Sequence, residues 1–211
     1  MKKISAKNGK VYDQIANFVY ETNIHARTPR SGLWFLGSGN QSVAEHLFHT
    51  AMIVFALCYF EPKADKNKAV LMALFHDIGE GRVSDQNYVH QRYGRPAEAE
   101  AVSDIAKSVP FGEEILNYYT EEQERKTLEA QIVKDADNLE WIATLRGEEI
   151  KGNSKAKDWI KIAGGRLKTN PGKRLYKVLI KTHPDAWWLD IKDKWFVDRE
   201  QKYRKWGTKK K

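Results

Sequence analysis

The feature that most constrains this chain is the stretch ALFHDIGEGRVSD, which runs from Ala73 to Asp85. An apolar run with the pattern of a core helix leads, without a linker, into a group of titratable residues. These are His76, Asp77, Glu80, Arg82 and Asp85. Burying carboxylates without compensating partners is costly. The stretch is therefore either a solvated helix end or a site that binds and reacts, and its partners elsewhere in the chain decide between the two.

The size and composition of the chain are those of a single globular domain. Its 211 residues are 41% hydrophobic and 30% charged, which is ordinary for a protein with one well-filled core. Cys58 is the only cysteine, so no disulfide framework is possible and we expect a reducing, cytoplasmic compartment. The first residues, MKKISAKNGKVYDQ, lack the apolar region of a signal peptide, and no apolar run reaches the ~20 residues that span a bilayer. We therefore expect no membrane association.

The positive charge of the chain is concentrated at its C-terminus. The net charge is +8, and the segment 192–211 contains nine Lys or Arg residues against three acidic residues. This segment therefore carries most of the excess charge and leaves the body nearly neutral. We expect residues 1–191 to form one domain and residues 192–211 to be a basic tail.

Helical patterns dominate the sequence. SVAEHLFHTAMIVFALCYF opens with a capping box, in which Ser42 is the N-cap and Glu45 follows three residues later. KNKAVLMALFHDIGE predicts a second helix, which is ended by Gly79 and Gly81 or soon after them. TEEQERKTLEAQIVKDADNLEWIATL predicts one long helix with a capping box at Thr120 and Gln123. No segment has the alternation of a strand, so we predict an all-α fold, a single helical bundle.

Helical periodicity also predicts which polar side chains face the core. His46 shares a helix face with the residues at i+4, i+7 and i+11, so it points inward. Asp137 lies one turn after Val133 and one turn before Trp141 on the apolar face, whereas Asp135 points away. Three helices thus each direct a histidine or a carboxylate inward, which gives a set of four side chains: His46, His76, Asp77 and Asp137.

Two imidazoles and two carboxylates in one place predict a site for a divalent cation. A cation removes the cost of burying the carboxylates, and this donor set suits Mn²⁺, Fe²⁺, Co²⁺ or Zn²⁺ better than Ca²⁺. Four protein ligands on an octahedral ion leave positions open for water and substrate, as in a catalytic site. Glu80 lies at i+4 from His76 and i+3 from Asp77, so it is placed to accept a proton from a metal-bound water.

Three segments, together with one spacing, carry a resemblance to a known family. SVAEH, ALFHDIGE with Asp85 eight residues after Asp77, and KDADNLE together resemble the HD-domain metal-dependent phosphohydrolases. They resemble in particular the 5′-deoxynucleotidases and their archaeal relatives. The likeness runs from TPRSG at 28–32 through RLKTNPGKRLYKVLI to the tryptophan pair at 187–188, so it covers most of the chain. The domain at 1–191 would then be an HD phosphohydrolase domain.

The resemblance implies a role for each candidate residue. One divalent metal per chain (Mn, Co, Fe, Zn or Mg) would be held by His46, His76, Asp77 and Asp137. Glu80 would position or deprotonate the attacking water. Arg30 and Asp85 fall on positions that line the nucleotide pocket in such enzymes. The guanidinium of Arg30 is suited to clamping a phosphate, while Asp85 would accept from a sugar hydroxyl, orient a phosphate-binding residue, or simply cap the next helix.

The expected activity is removal of phosphate from (deoxy)nucleoside 5′-monophosphates by attack of a metal-bound water. The resemblance also implies a homodimer. One alternative is another HD phosphohydrolase, acting on a nucleoside triphosphate, a cyclic nucleotide or a different phosphate ester. A pyrophosphate pocket should need several Lys or Arg side chains, and the sequence near His76 offers mainly Arg82 and Arg92.

The second alternative is a non-catalytic module that binds nucleic acid or a protein partner. In the tail, Trp195, Phe196, Tyr203 and Trp206 alternate with basic residues, a composition that can stack bases and neutralise phosphates. A terminal segment with solubilising lysines accounts for the same composition and is the favoured interpretation. We therefore do not favour nucleic acid as a partner, and expect that any such binding would use the basic tail.

Overall fold

The computed structural model describes residues 6–94 and 97–198. Within these ranges the chain forms helices joined by turns, and the one β-type contact is an isolated bridge between Pro29 and Ser42. The prediction of an all-α fold is therefore confirmed. No helix in the described ranges combines the length and the apolar character needed to cross a membrane. The helices are α1 (Ala6–Thr22), a 3₁₀ turn (Asn23–Ala26), α2 (Gly32–Leu36), α3 (Val43–Leu57), α4 (Lys66–Phe75), α5 (Glu80–Val83), α6 (Tyr88–Tyr93), α7 (Glu98–Ser108), α8 (Gly112–Glu124), α9 (Leu128–Ile150), α10 (Ala156–Gly164), α11 (Asn170–Leu179) and α12 (Lys194–Asp198).

The long helix α9 is the centre of the bundle. It packs against α3, α4, α8, α10 and α11, because apolar residues occupy several of its faces. Its fully buried apolar side chains are Ile132, Val133, Ala136, Leu139, Ile142 and Leu145. A helix that is enclosed in this way gives a rigid base for the polar side chains that it carries. A smaller core, which includes Ile78, Val102 and Ile115, lies beneath α7 and α8.

The first capping box forms as predicted and fixes the start of α3. The Ser42 side chain accepts a hydrogen bond from the Glu45 backbone N–H, and the Glu45 carboxylate accepts from the Ser42 backbone N–H at 2.7 Å. Both groups satisfy backbone donors that have no partner inside the helix. His46 follows directly in the first turn of α3 and is fully buried.

The prediction of one long helix across residues 120–145 is wrong. The chain breaks after Glu124, because Arg125 adopts a left-handed backbone conformation (φ 54°) that ends α8. Thr127 then caps α9, and its hydroxyl accepts from the Ala130 backbone N–H at 3.2 Å. Thr120 therefore lies inside α8 rather than at an N-cap. Sequence periodicity does not register such a corner, because a single residue with positive φ is enough to form it.

The second helix is also shorter than predicted. α4 ends at Phe75 rather than near Gly79, so His76 and Asp77 lie in a turn between α4 and α5. A Cβ on Gly79 would lie 2.7 Å from the Glu98 Cγ and 3.1 Å from a Val102 methyl carbon. The chain turns here because α5 must pass close against α7. The turn places His76 and Asp77 between α4 and α5 rather than along a helix face.

We predict that Gly112→Ala destabilises the protein. A Cβ at this position would overlap the backbone oxygen of Ala106 at the corner between α7 and α8, and backbone cannot move aside cheaply. Overpacking of this kind costs about 1–3 kcal/mol, which lowers the melting temperature by several degrees. The measurement is thermal unfolding followed by circular dichroism.

Gly147→Ala is the matched control for this prediction. Gly147 lies inside α9 and a Cβ there would contact nothing within 4 Å. Alanine should stabilise the helix by about 0.5–1 kcal/mol. Equal melting temperatures for the two variants would contradict the proposed close approach at Gly112.

Candidate metal centre and active site

Three of the predicted ligands converge on one point. The Nε2 atoms of His46 on α3 and His76 in the turn after α4 lie 3.3 Å apart. The Oδ2 atom of Asp77 lies 3.4 Å from the first nitrogen and 3.3 Å from the second. Donor atoms that bind one ion at ~2.1 Å are separated by ~3.0–3.5 Å in tetrahedral or octahedral geometry. The three side chains form a group that could hold a metal ion, and their spacing fits one.

Hydrogen bonds behind the two histidines orient their rings. The Nδ1 atom of His46 lies 2.7 Å from a carboxylate oxygen of Glu140, and the Nδ1 atom of His76 lies 2.7 Å from the backbone oxygen of Ala73. Both partners are acceptors, so each ring donates from Nδ1 and can present an unprotonated Nε2 to a metal. Gln41 donates to the other oxygen of Glu140 at 2.6 Å and holds that carboxylate in place.

The group requires positive charge at its centre. Burial and the charge of Arg30 oppose protonation of His46, but hydrogen bonds to Asp77 and Glu140 outweigh them and raise the pKa of His46 to about 9. Burial also opposes ionisation of Asp77, yet the neighbouring histidines and Arg30 hold its pKa well below its usual range. A divalent cation between these groups would supply the same favourable charge, and it would displace any proton on His46 Nε2, as metal binding generally does at histidine ligands.

The fourth predicted ligand lies at the edge of this group. The Oδ1 atom of Asp137 is 3.5 Å from the Nε2 atom of His46, and its Oδ2 atom accepts from Lys134 Nζ at 2.6 Å. Burial opposes ionisation of Asp137, but Lys134 and then the two histidines hold its pKa below the usual range. Asp135 lies on another side of α9, where it accepts from the backbone N–H groups of Lys168 and Thr169. It anchors the start of α11 rather than contributing to the site.

Arg30 and Asp85 lie beside the metal-ligand group. The Arg30 Nη1 atom is 3.1 Å from Asp85, 3.2 Å from Asp77 and 3.7 Å from Glu80. The other oxygen of Asp85 accepts from the backbone N–H and the hydroxyl of Ser31, at 2.5 and 2.8 Å. Asp85 thereby fixes the loop that carries Arg30. The alternative that Asp85 caps the next helix is wrong, because Asn87 is the N-cap of α6.

Glu80 presents a carboxyl group without a hydrogen-bond partner. Its Oε2 atom is buried and makes no hydrogen bond to any residue that the structure describes. Burial, and then the charge of Asp77, raises the pKa of Glu80 well above its usual range. A buried polar atom without a protein partner is rare and indicates a site for a water molecule or a ligand.

These side chains line a cavity of about 380 Å³. Arg30, Asp77, Glu80, Asp85 and Asp137 all contribute to its wall. Amide and aromatic side chains line other parts of it, among them Asn87, Gln91, Asn138, Tyr88 and Trp141. A cavity of this size that combines aromatic rings with a few convergent polar groups is typical of a small-molecule site.

Sequence reasoning missed four side chains of the site. Arg125, Lys134 and Arg166 line the cavity, although the sequence near His76 had suggested few cations. The Arg82 side chain instead pairs with Glu21 at 2.5 Å. Only the fold brings Arg125 and Arg166 to the cavity, so no local pattern marked them. Lys134 and Glu140 are different, because they lie three residues before and three residues after Asp137 on α9, and this helical spacing could have drawn attention to both.

Comparison with known proteins agrees with this description. The family model described as HD domain matches residues 26–178, which is most of the chain. The chain therefore belongs to the HD-domain family. The family resemblance stated from the HD and KDAD segments is confirmed.

The curated relatives carry a consistent name. "5′-deoxynucleotidase hdd1" of Schizosaccharomyces pombe is 27% identical over 79% of this chain and 88% of its own length. "5′-deoxynucleotidase HDDC2" of Dictyostelium discoideum is 32% identical over 48% of this chain and 60% of its own length. Its human counterpart is 26% identical over 55% of this chain and 59% of its own length.

Solved structures share the fold. A conserved hypothetical protein from Pyrococcus furiosus has a TM-score of 0.68 and 25% identity, and the match covers 79% of this chain and 99% of that one. A "predicted metal-dependent phosphohydrolase" from Magnetospirillum magnetotacticum has a TM-score of 0.61 and 19% identity, and the match covers 82% of this chain and 94% of that one. At that identity the second likeness shows the fold alone.

We predict that Glu140→Gln weakens divalent-metal binding about 10- to 100-fold, the usual effect of losing a carboxylate that orients a metal-binding histidine. The physical reason is that a neutral amide no longer favours donation from His46 Nδ1. The measurement is calorimetric titration of chelator-treated protein with Mn²⁺. Glu148→Gln is the control, because Glu148 is also buried on α9 but bonds to Lys151. Equal losses in both variants would indicate a general effect on the fold.

Proposed function

We propose that this HD-domain hydrolase removes phosphate from nucleoside 5′-monophosphates, with the deoxy forms preferred. The observation that carries the proposal is the convergence of His46, His76 and Asp77 beside a cavity that Asp77 and Glu80 line, together with a buried Glu80 oxygen that has no hydrogen-bond partner among the described residues. The names of the curated relatives, which are hydrolases of deoxynucleotides, support the same substrate class.

One divalent metal per chain would be held by His46, His76, Asp77 and Asp137. Two imidazole nitrogens favour Mn²⁺, Co²⁺, Fe²⁺ or Zn²⁺ over Mg²⁺. When bound, the metal supplies a Lewis acid for the phosphoryl group and lowers the pKa of a water molecule. Lys134 has to share Asp137 with the metal, because it already donates to one oxygen of that carboxylate.

Glu80 is the proposed general base, because a divalent cation bound beside it would offset the charge of Asp77 that raises its pKa and would favour the ionised carboxylate. Its buried oxygen has room for a water partner, and its position beside Asp77 places it next to the metal-ligand group. A general base must lie within hydrogen-bond reach of the proton that it accepts. Arg30 and Asp85 complete the proposed site, because Arg30 joins three carboxylates and Asp85 fixes the loop of Arg30. Phosphoryl transfer depends mainly on this kind of positioning and on electrostatics.

The nucleoside part would occupy the remaining wall of the cavity. Asn87, Gln91 and Asn138 offer amide groups to a sugar or a base, and Tyr88 and Trp141 offer aromatic rings. A longer phosphate chain remains a second candidate, because Arg125, Lys134 and Arg166 supply the additional cations that the sequence near His76 lacked. A non-catalytic module that binds through its tail is not favoured, and the part of the tail beyond residue 198 lies outside the described residues.

The remaining proposals concern the whole chain. We propose that residues 1–191 act as one hydrolase domain and that residues 192–211 are an appendage to it.

A cytoplasmic location is supported by the single cysteine, Cys58, which is buried and free. A homodimer is supported by an exposed apolar stripe that runs along α3 and into the turn after it, called the α3 stripe, where the exposed fractions are 58% for Phe48, 54% for Met52, 52% for Phe55 and 82% for Tyr59. The spacing of four, three and four residues is that of a helix-packing seam.

We predict that metal-loaded protein releases phosphate from 5′-monophosphates and that Glu80→Gln abolishes turnover without weakening metal binding. The amide cannot accept a proton, but it is not one of the proposed ligands. The measurement is phosphate release from deoxynucleoside and ribonucleoside 5′-monophosphates, 3′-monophosphates and triphosphates, with Mn²⁺, Co²⁺ or Mg²⁺. Release from triphosphates alone would favour the second candidate, and no release with any metal would contradict the nucleotidase proposal.

We predict that the protein sediments at twice the mass of one chain and that Met52→Glu shifts it to the monomer. Two copies of the α3 stripe would bury on the order of 1,000 Å², close to the lower limit for a specific interface, so one central charge should separate them. The measurement is analytical ultracentrifugation. Ile162→Glu is the control, because Ile162 is 58% exposed on α10 and lies outside the stripe. A dimer that survives Met52→Glu would exclude this stripe as the interface.

A further inference from the structure

The charge of Arg30 is already balanced by its neighbours. Its Nη1 atom approaches Asp77, Glu80 and Asp85 within 3.7 Å, and only 14% of the side chain is exposed. One guanidinium therefore faces three carboxyl groups. Even with a divalent cation beside Asp77, Asp85 at 3.1 Å already balances this guanidinium, so a phosphate dianion placed against Arg30 would gain little net attraction. Arg30 is thus better suited to hold these carboxylates than to bind the substrate.

Two cations line the cavity where α8 meets α9. Arg125 lies at this corner, lines the cavity and is 48% exposed, and its ion pair with Glu122 is long, at 4.0 Å. Lys134, one third exposed, lines the same cavity and donates to Asp137. Both cations line the same cavity, and Asp137, the partner of Lys134, is a proposed metal ligand.

The backbone at Arg125 is a second, independent observation. Its φ of 54° makes it one of two non-glycine residues with positive φ in the described ranges. A helix that ends in this conformation usually has glycine there, because a side chain makes the conformation unfavourable. Strained residues of this kind cluster at ligand sites, where the side chain is needed. Here the strain coincides with a guanidinium that lines the cavity.

We propose that Arg125 and Lys134 form the subsite that binds the phosphate group of the substrate, and that Arg30 is a positioning residue that holds three carboxylates in place. This inference rests on the proposed function, because it assigns the phosphate-binding residues of the same cavity. Arg125 presents its fork to the phosphate oxygens, and Lys134 adds a point charge beside Asp137. The phosphoryl group then lies between these cations and the metal-ligand group.

The test compares Arg125→Gly with Arg125→Lys. Glycine removes the cation and relieves the left-handed backbone, so its melting temperature should equal or exceed that of the unmodified protein. Its KM for a deoxynucleoside 5′-monophosphate should rise roughly 10- to 100-fold, the factor expected for a lost charge-assisted hydrogen bond, with a smaller change in kcat. Lysine keeps the charge but loses the fork, and should give an intermediate KM. A residue with only a structural role would leave KM unchanged.

A second measurement does not depend on catalysis. Inorganic phosphate added to chelator-treated protein should raise the melting temperature through ligand binding. Arg125→Gly and Lys134→Met should lose this increase, whereas Arg30→Lys should keep it. Lys126→Ala is the matched control, because Lys126 is adjacent to Arg125, 75% exposed, and paired with Glu124 rather than lining the cavity.

The outcomes separate this inference from the proposed function. If phosphate stabilises the protein through Arg125 but no monophosphate is hydrolysed, the nucleotidase proposal fails and the subsite stands. If monophosphates are hydrolysed and Arg125→Gly changes neither KM nor the phosphate-dependent melting temperature, the subsite is wrong. If Arg30→Lys loses the phosphate-dependent rise in melting temperature and Arg125→Gly keeps it, phosphate binding belongs to Arg30 and the subsite is likewise wrong.

Discussion

The convergence of His46, His76 and Asp77 on one point is the constraint on which the rest of the site depends. Two imidazole nitrogens and a carboxylate oxygen lie within 3.4 Å of one another, with both histidines buried and Asp77 partly exposed to the cavity. Such an arrangement is stable only with positive charge at its centre. The hydrogen bonds behind the histidines are arranged so that this charge can be a metal ion. The surrounding helices hold these three donor atoms close together, although electron-rich atoms repel one another.

The enclosed helix α9 connects the fold to the chemistry. Its apolar faces bury against five other helices, and its polar residues serve three separate purposes. Asp137 faces the metal-ligand group, Glu140 orients His46, and Asp135 anchors the start of α11. Because a packed helix has little freedom to shift, these three carboxylates are held in fixed relative positions. The core therefore sets the geometry of the site directly.

The cavity divides its charges between two walls. Acidic groups crowd around Arg30 on one side, where the balance is negative, and Arg125, Lys134 and Arg166 bring positive charge from other elements. A cation bound by the metal-ligand group would balance the charge of the acidic wall, and an anionic substrate held nearby would balance the charge of the basic wall. The site has two further unusual features, the buried Glu80 oxygen without a hydrogen-bond partner among the described residues and the left-handed backbone at Arg125.

The sequence by itself determined the all-α fold, the α3 capping box and the inward direction of His46, because these follow from periodicity and from interactions within a few residues. Family resemblance added the HD-domain assignment. The break at Arg125 and the early end of α4 were not predicted, because the first needs one residue with positive φ inside a helical pattern and the second accompanies the close approach of Gly79 to α7. Only the tertiary structure brought Arg125, Lys134 and Arg166 to one cavity and Glu140 to His46. Such contacts join residues far apart in the chain, and no local pattern records the distance between them.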